Sequence, residues 1–195
     1  DPDQGTLTIA DNGIGMTAEE LAKSLGTVAW SGSRDFLQQL RAGKDAKDQA
    51  PKLIGQFGVG FYSAYLVADE VEALSRAAGT EQAHRWRSSG KDTFTVAPDV
   101  RAGQGTSIVL HLRPEHREML SERRLRDLVE RYSDYVAHPI ELWLQKDGKD
   151  ERKQLNRGDA LWQRRPSEVT EAQYEELYRH LARDWEGPLG WRHFH

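Results

Sequence analysis

Two glycine-rich turns constrain this chain more than any other feature. The first is Asp11-Asn12-Gly13-Ile14-Gly15-Met16, and the second is Gly55-Gln56-Phe57-Gly58-Val59-Gly60-Phe61. A strand-like run, Thr6-Leu7-Thr8-Ile9-Ala10, enters the first turn. A short apolar helix, Phe61-Tyr62-Ser63-Ala64-Tyr65-Leu66, is predicted to leave the second. An ionised aspartate accepts hydrogen bonds and donates none, which suits an exocyclic amine such as that of adenine. Glycines beside it permit positive φ and close approach of a ligand to the backbone. Free amides and the dipole at a helix N-terminus favour anions, phosphate above all. An acid for a base and amides for phosphates together read as a nucleotide pocket.

Each motif alone carries less. Asp-Asn-Gly by itself is commonly a turn, because these residues tolerate left-handed backbone. Two familiar phosphate loops are excluded. A P-loop needs Lys-Ser/Thr after its last glycine, and here Phe61 follows Gly60. A Rossmann fingerprint needs G-x-G-x-x-G after a buried strand. This chain has the reverse spacing, G-x-x-G-x-G, after a polar stretch from Arg41 to Lys52.

Thr17-Ala18-Glu19-Glu20 is a capping box that opens a helix carrying Leu21 and Leu25 and ending at Gly26. A second short helix is expected from Ser33 to Leu40. The segment Arg41–Pro51 is charged and nearly free of large apolar groups, so it cannot offset its ordering entropy. Its place between the two turns suits a lid, the alternative being an idle surface loop. Strands are expected over Val71–Arg76, Ala83–Arg87, Asp92–Val96 and Ser107–Leu112, as an antiparallel meander with helices on one face, an α+β layout. An amphipathic helix is expected over Ser121–Val136, then a strand over Ile140–Leu144. Lys146–Lys153 reads as a charged hairpin or linker. A last helix, Thr170–Trp185, bears an apolar stripe of Tyr174, Leu177, Tyr178, Leu181 and Trp185, with packing partners expected beyond His195.

A net charge of −4 argues against the basic footprint of a nucleic-acid binder. The absence of cysteine excludes disulfides and thiolate metal sites. No apolar run approaches the roughly 20 residues of a membrane span, and the histidines form no recognisable metal motif. The expectation is a cytoplasmic protein without nucleic-acid or membrane partners.

The string from Leu53 to Ala64 resembles the heat-shock protein 90 chaperones, in their bacterial form. Asp11-x-Gly13-x-Gly15 alone is shared with gyrase-type ATPases, sensor histidine kinases and MutL proteins. The resemblance continues through Leu25-Gly26-Thr27, Ser31-Gly32, Gly105-Thr106, Tyr132-Ser133-Asp134 and Leu161-Trp162, so it covers essentially the whole chain. It implies the gyrase, histidine-kinase and MutL type of ATP-binding sandwich, the Bergerat fold, in two layers. Residues 1–145 would be the ATP-binding domain, 146–158 a charged joint, and 159–195 the start of a middle domain.

By this resemblance Asp11 would bind the adenine amine, with Gly13 in its turn, Gly15 and Met16 lining the base, and Thr106 in the same water network. Phe61 would pack near base and sugar. Gly58, Val59 and Gly60 would offer amides to phosphates, and Gly55 and Gln56 would sit where the lid folds over. Ser24 stands where the family often has an asparagine near the ribose. Trp30 stands near a family lysine; either phosphate affinity falls, or Trp30 is a lid-surface residue, and both readings stand open. The family's general-base glutamate and magnesium-binding asparagine lie on a helix before the first strand. No residue here matches either, so no catalytic residue and no metal ligand is expected in this chain, and the fragment alone is expected to be inactive.

The resemblance implies an ATP-dependent chaperone with ATP or ADP and Mg2+ as cofactors and partly folded client proteins as partners. The whole protein would hydrolyse ATP and form a homodimer as its lid closes. The alternatives are a gyrase-like or histidine-kinase-like ATP domain, or a non-catalytic binding fragment.

Overall fold

The computed structural model describes residues 1–27, 59–146, 149–158, 160–182, 184 and 186–194. The chain divides into two compact units, Asp1–Leu120 and Ser121–His195. The expected second helix (Ser33–Leu40), the lid (Arg41–Pro51), Trp30 and most of the second glycine turn lie outside the described residues.

Unit 1 is a five-stranded antiparallel sheet with helices packed on one face. Its strands are β1 (Thr6–Ala10), β2 (Ala68–Arg76), β3 (Ala83–Ser88), β4 (Phe94–Asp99) and β5 (Gly105–Leu112), in the order β1-β5-β2-β3-β4. The α+β expectation holds, but the simple meander does not. β2, β3 and β4 are successive neighbours, whereas β5 crosses back and inserts between β1 and β2. Thr106, Ile108, Leu110 and Leu112 fall on the core face of β5, opposite Ser75, Ala73, Val71 and Ala68 of β2. An apolar face of that length is satisfied best in the middle of a sheet. β4 starts later than expected and runs through Pro98, which a strand at the sheet edge tolerates.

Helix α1 (Ala18–Gly26) begins at the expected capping box: Glu20 N–H donates to Thr17 Oγ1 (3.3 Å) and Thr17 N–H to Glu20 Oε2 (2.8 Å). Leu21 and Leu25, one turn apart, drop into a core with Ala68, Val71, Ala73, Trp86, Leu110 and Leu112. A Cβ on Gly26 would lie 2.5 Å from the Phe94 ring, so the helix end can approach β4 only without a side chain there. The short apolar helix expected after the second glycine turn is present as a 3-10 helix, Gly60–Leu66. It is held by Phe61, edge-to-face on Trp86 at 5.6 Å, and by Tyr62 Oη donating to Leu25 O (3.4 Å). A second 3-10 helix, Pro114–Leu120, had no clear signal in the sequence.

Unit 2 contains α2 (Glu122–Tyr132), the hairpin β6 (Glu141–Lys146) and β7 (Lys149–Gln154), short 3-10 turns at Leu161–Gln163 and Pro166–Glu168, and α3 (Glu171–Ala182). The charged stretch after residue 145 is therefore the hairpin's second strand, paired from Glu141↔Gln154 to Lys146↔Lys149. α2 stops before the expected Val136. Asp134, only 3% exposed, turns inward and accepts Arg157 N–H (2.8 Å), with the Arg157 guanidinium and His180 Nε2 on its other oxygen. Asn156 staples the next loop. Its oxygen accepts Ile140 N–H (2.8 Å), and its amide donates to Val136 O (2.8 Å) and His138 O (2.9 Å).

The apolar stripe of α3 finds a partner inside the chain for Tyr174 and is otherwise partly exposed, with Leu181 62% exposed. Tyr174 stacks on Trp191 at 5.4 Å and bonds His193 Nδ1 (2.7 Å), and Tyr174, Leu177, Tyr178 and Leu181 line a groove of about 670 Å³. Trp185 is outside the described residues.

Candidate functional site

The first glycine turn sits at the end of the β1–β5 ladder. Asp11 N–H donates to Thr106 O (2.8 Å), extending that ladder by one residue. The Asp11 carboxylate uses one oxygen for the protein: Oδ1 accepts Gly13 N–H (2.8 Å) and Thr106 N–H (3.3 Å). Among the described residues nothing bonds Oδ2. A carboxylate offers about four acceptor positions, so one oxygen is fixed by the backbone and the other is free for a donor on an exposed side chain.

The glycines permit this layout by letting the chain approach itself. Gly15 has φ +65°, and a Cβ there would sit 1.9 Å from Arg76 O. Gly105 has φ +112°, and its Cβ would meet Asp11 O at 2.2 Å. At both positions the close approach that glycine permits is to protein backbone. At Gly60 a Cβ would meet none of the described residues within 4 Å.

Behind the turn lies a residue that sequence reasoning missed. Ser75 is completely buried on β2. Its hydroxyl accepts Met16 N–H (2.8 Å) and lies 3.2 Å from Gly105 O and 2.8 Å from Thr106 Oγ1. It joins the first glycine turn to the start of β5. A signal existed: Val71, Ala73 and Ser75 share one strand phase, so the serine takes a core position. Arg101 was also missed. Its guanidinium donates to Asp11 O (2.9 Å) and to the carbonyls of Gly103 and Gln104, which folds the loop before β5 onto the turn.

The structure thus brings together Asp11, Gly13, Gly15, Met16 and Thr106. Met16 and Phe61 both pack against the core cluster, with the Phe61 ring turned to Trp86 and also edge-on to Tyr62 and Tyr65. Burial raises the phenol pKa of both tyrosines. Ser24 is half-buried on α1, and Val59 and Gly60 are exposed at the start of the 3-10 helix. Gly55, Gln56 and Gly58 lie outside the described residues.

A family model described as Hsp90 protein matches residues 146–195. The chaperone protein HtpG of Myxococcus xanthus is 55% identical over 203 residues, covering all of this chain and 31% of that protein. HtpG of Rhodospirillum rubrum is 48% identical over 194 residues, with 100% and 30% covered. HtpG of Pseudoalteromonas translucida is 43% identical over 206 residues, with 99% and 32% covered. The chain belongs to the heat-shock protein 90 family. It spans about 31% of the length of the curated Hsp90-family relatives it matches. Among the described residues no helix is long and apolar enough to cross a membrane.

This Hsp90-family chain carries a second polar cluster on the opposite sheet face. Glu72 bonds Arg85 and His111 Nε2 (3.1 Å), Glu70 bonds Arg87 (2.5 Å), and Arg85 Nε reaches Asp99 (2.6 Å). Partial burial pushes the Glu72 carboxyl up, but the bonds and charges of Arg85 and His111 outweigh it and hold its pKa low. Glu70, Glu72 and His111 are the one trio among the described residues spaced for a metal. Two guanidiniums already occupy the carboxylates, so the trio does not fit Mg2+, a hard cation that would have to displace them.

Proposed function

We propose that this chain is the ATP-binding part, with the beginning of the adjoining domain, of an ATP-dependent molecular chaperone. Its sheet would be of the Bergerat type found in gyrase, histidine-kinase and MutL ATPases. Residues 1–145 would belong to the nucleotide domain, 146–158 to a joint and 159–195 to the next domain. The observation that carries this reading is the divided carboxylate of Asp11. Oδ1 is locked by the Gly13 and Thr106 amides, and Oδ2 takes no bond among the described residues. Such an acceptor suits the adenine amine.

Met16 and Gly15 would line the base, Ser24 would reach toward the ribose, and Phe61 would shape the wall between base and sugar. Amides of Gly58, Val59 and Gly60 would meet the phosphates, with Gly55 and Gln56 under the lid. Because the helix after Gly60 is a short 3-10 turn, phosphate contact would rest on loop amides more than on a helix dipole. The nucleotide would enter with Mg2+ carried on its phosphates. In the whole protein, ATP would close the lid and pair two copies, hydrolysis would reset the clamp, and partly folded cytoplasmic proteins would be the clients.

Calorimetric titration of the chain with ADP and Mg2+, beside Asp11→Asn, tests the reading. Asparagine keeps one acceptor for the backbone amides but replaces the other oxygen with a donor that faces the amine. Binding to the wild type that is lost in the variant supports the assignment. Equal binding in both chains removes Asp11 from the site.

A further inference from the structure

The Ser75 hydroxyl makes three close contacts and owns one proton and two lone pairs. Met16 N–H can only donate to it, at 2.8 Å. Gly105 O can only accept from it, at 3.2 Å. Both partners are fixed, so Ser75 gives its proton to Gly105 O and fills one lone pair with Met16 N–H. The third contact, Thr106 Oγ1 at 2.8 Å, must then supply the proton itself. This assignment satisfies all three contacts at once. The opposite one, with Ser75 donating to Thr106, leaves the Gly105 contact unmade in a fully buried place, where unmade hydrogen bonds are costly.

We propose that Ser75 is the positioning residue that sets the base preference of this site. By consuming the Thr106 hydroxyl proton it leaves Thr106 Oγ1 with lone pairs only. The neighbouring Asp11 Oδ2 is likewise an acceptor, and its Oδ1 ties it to the Thr106 amide. The two side chains would then meet a base edge as a pair of acceptors. A ring edge bearing an amine satisfies them. A ring edge bearing a carbonyl at the same position sets acceptor against acceptor. Asp11 is an acceptor whatever its neighbours do, but a threonine hydroxyl rotates freely unless its proton is claimed, so the polarity of the second member of the pair depends on Ser75. This inference rests on the nucleotide reading above and adds to it the residue that enforces selection.

The test compares ADP with inosine diphosphate, which carries oxygen where ADP carries the amine, by calorimetry with Mg2+ on the wild type, Ser75→Ala, Ser75→Thr and Thr106→Val. Wild type is expected to prefer ADP. Ser75→Ala frees the Thr106 proton to meet a carbonyl, and the preference should narrow by about tenfold, the range of one misplaced buried hydrogen bond. Ser75→Thr keeps the hydroxyl and should keep the preference. Thr106→Val removes the acceptor while leaving Ser75 bonded to Met16 and Gly105, and should narrow the preference even if Ser75→Ala folds poorly. A merely structural role for Ser75 would weaken both nucleotides equally, and an unchanged ratio in Ser75→Ala and Thr106→Val overturns the proposal. A wild type that binds ADP and inosine diphosphate equally also overturns it. A wild type that binds neither nucleotide overturns the nucleotide reading itself, and the inference with it.

Discussion

Replacing Gly15 with alanine should damage unit 1 far more than the same change at Gly79, although the two backbones are nearly alike. Gly15 has φ +65° and Gly79 has φ +76°. Each alanine incurs the left-handed penalty of about 1–2 kcal/mol. Around Gly79 a new Cβ meets none of the described residues within 4 Å, so the cost ends there. At Gly15 the Cβ would lie 1.9 Å from Arg76 O and 2.6 Å from its carbon, both backbone atoms of a central strand. Restoring ordinary contact needs a displacement of the turn. Two hydrogen bonds bracket that turn, Ala78 N–H to Ile14 O (2.7 Å) and Met16 N–H to Ser75 Oγ (2.8 Å). Losing one leaves a donor or acceptor unmet, at about 1–3 kcal/mol. Gly15→Ala should therefore cost about 2–5 kcal/mol and Gly79→Ala about 1–2 kcal/mol. Urea unfolding followed by circular dichroism measures both. Equal losses in the two variants would refute the claim that close backbone approach, and not φ alone, selects glycine at residue 15.

Two further perturbations test the polar clusters. The lowered Glu72 pKa means that its contribution is present in full above the ordinary value of 4.5 and is lost as pH falls through the lowered folded value. Glu72→Gln should flatten the acid side of the stability profile, and urea midpoints that fall in parallel for both chains would count against it. Asp134→Asn removes the charge facing Arg157 and His180 in a buried place. Because the Arg157 guanidinium is half-exposed and keeps Glu176 as a second partner, the loss should be about 1–3 kcal/mol, the range for a bond to a charged group, read as an earlier urea midpoint for unit 2.

What the sequence revealed was local. The α1 capping box spans four residues and its two leucines one turn, so both could be read directly. β1 and the Asp11 turn were equally plain. The crossing of β5 between β1 and β2 was hidden, because strand phase tells which face is buried and not which strand is the neighbour. Ser75 shows the same limit. Its inward phase was visible, but its partners Met16 and Thr106 lie 59 and 31 residues away. α2 ends early because Asp134 is claimed by Arg157, 23 residues later. The short helix after Gly60 is legible in the sequence but its 3-10 form is not, because over two turns the α and 3-10 forms differ little in pattern.

The Asn156 staple bears on how this protein ages. Asparagine side chains deamidate when the next residue's backbone nitrogen attacks the side-chain amide carbon. Here that nitrogen belongs to Arg157, and its N–H is held by the buried Asp134 carboxylate at 2.8 Å. The ring closure that begins the damage must first break this bond. Were it to proceed, the product would present oxygens where an amide now donates to Val136 O and His138 O. Two attractions would become repulsions, and the loop that leads into the β6–β7 hairpin would come loose. The aspartate that ends α2 therefore also works as a preservative, keeping a chemically fragile residue intact over the lifetime of the chain.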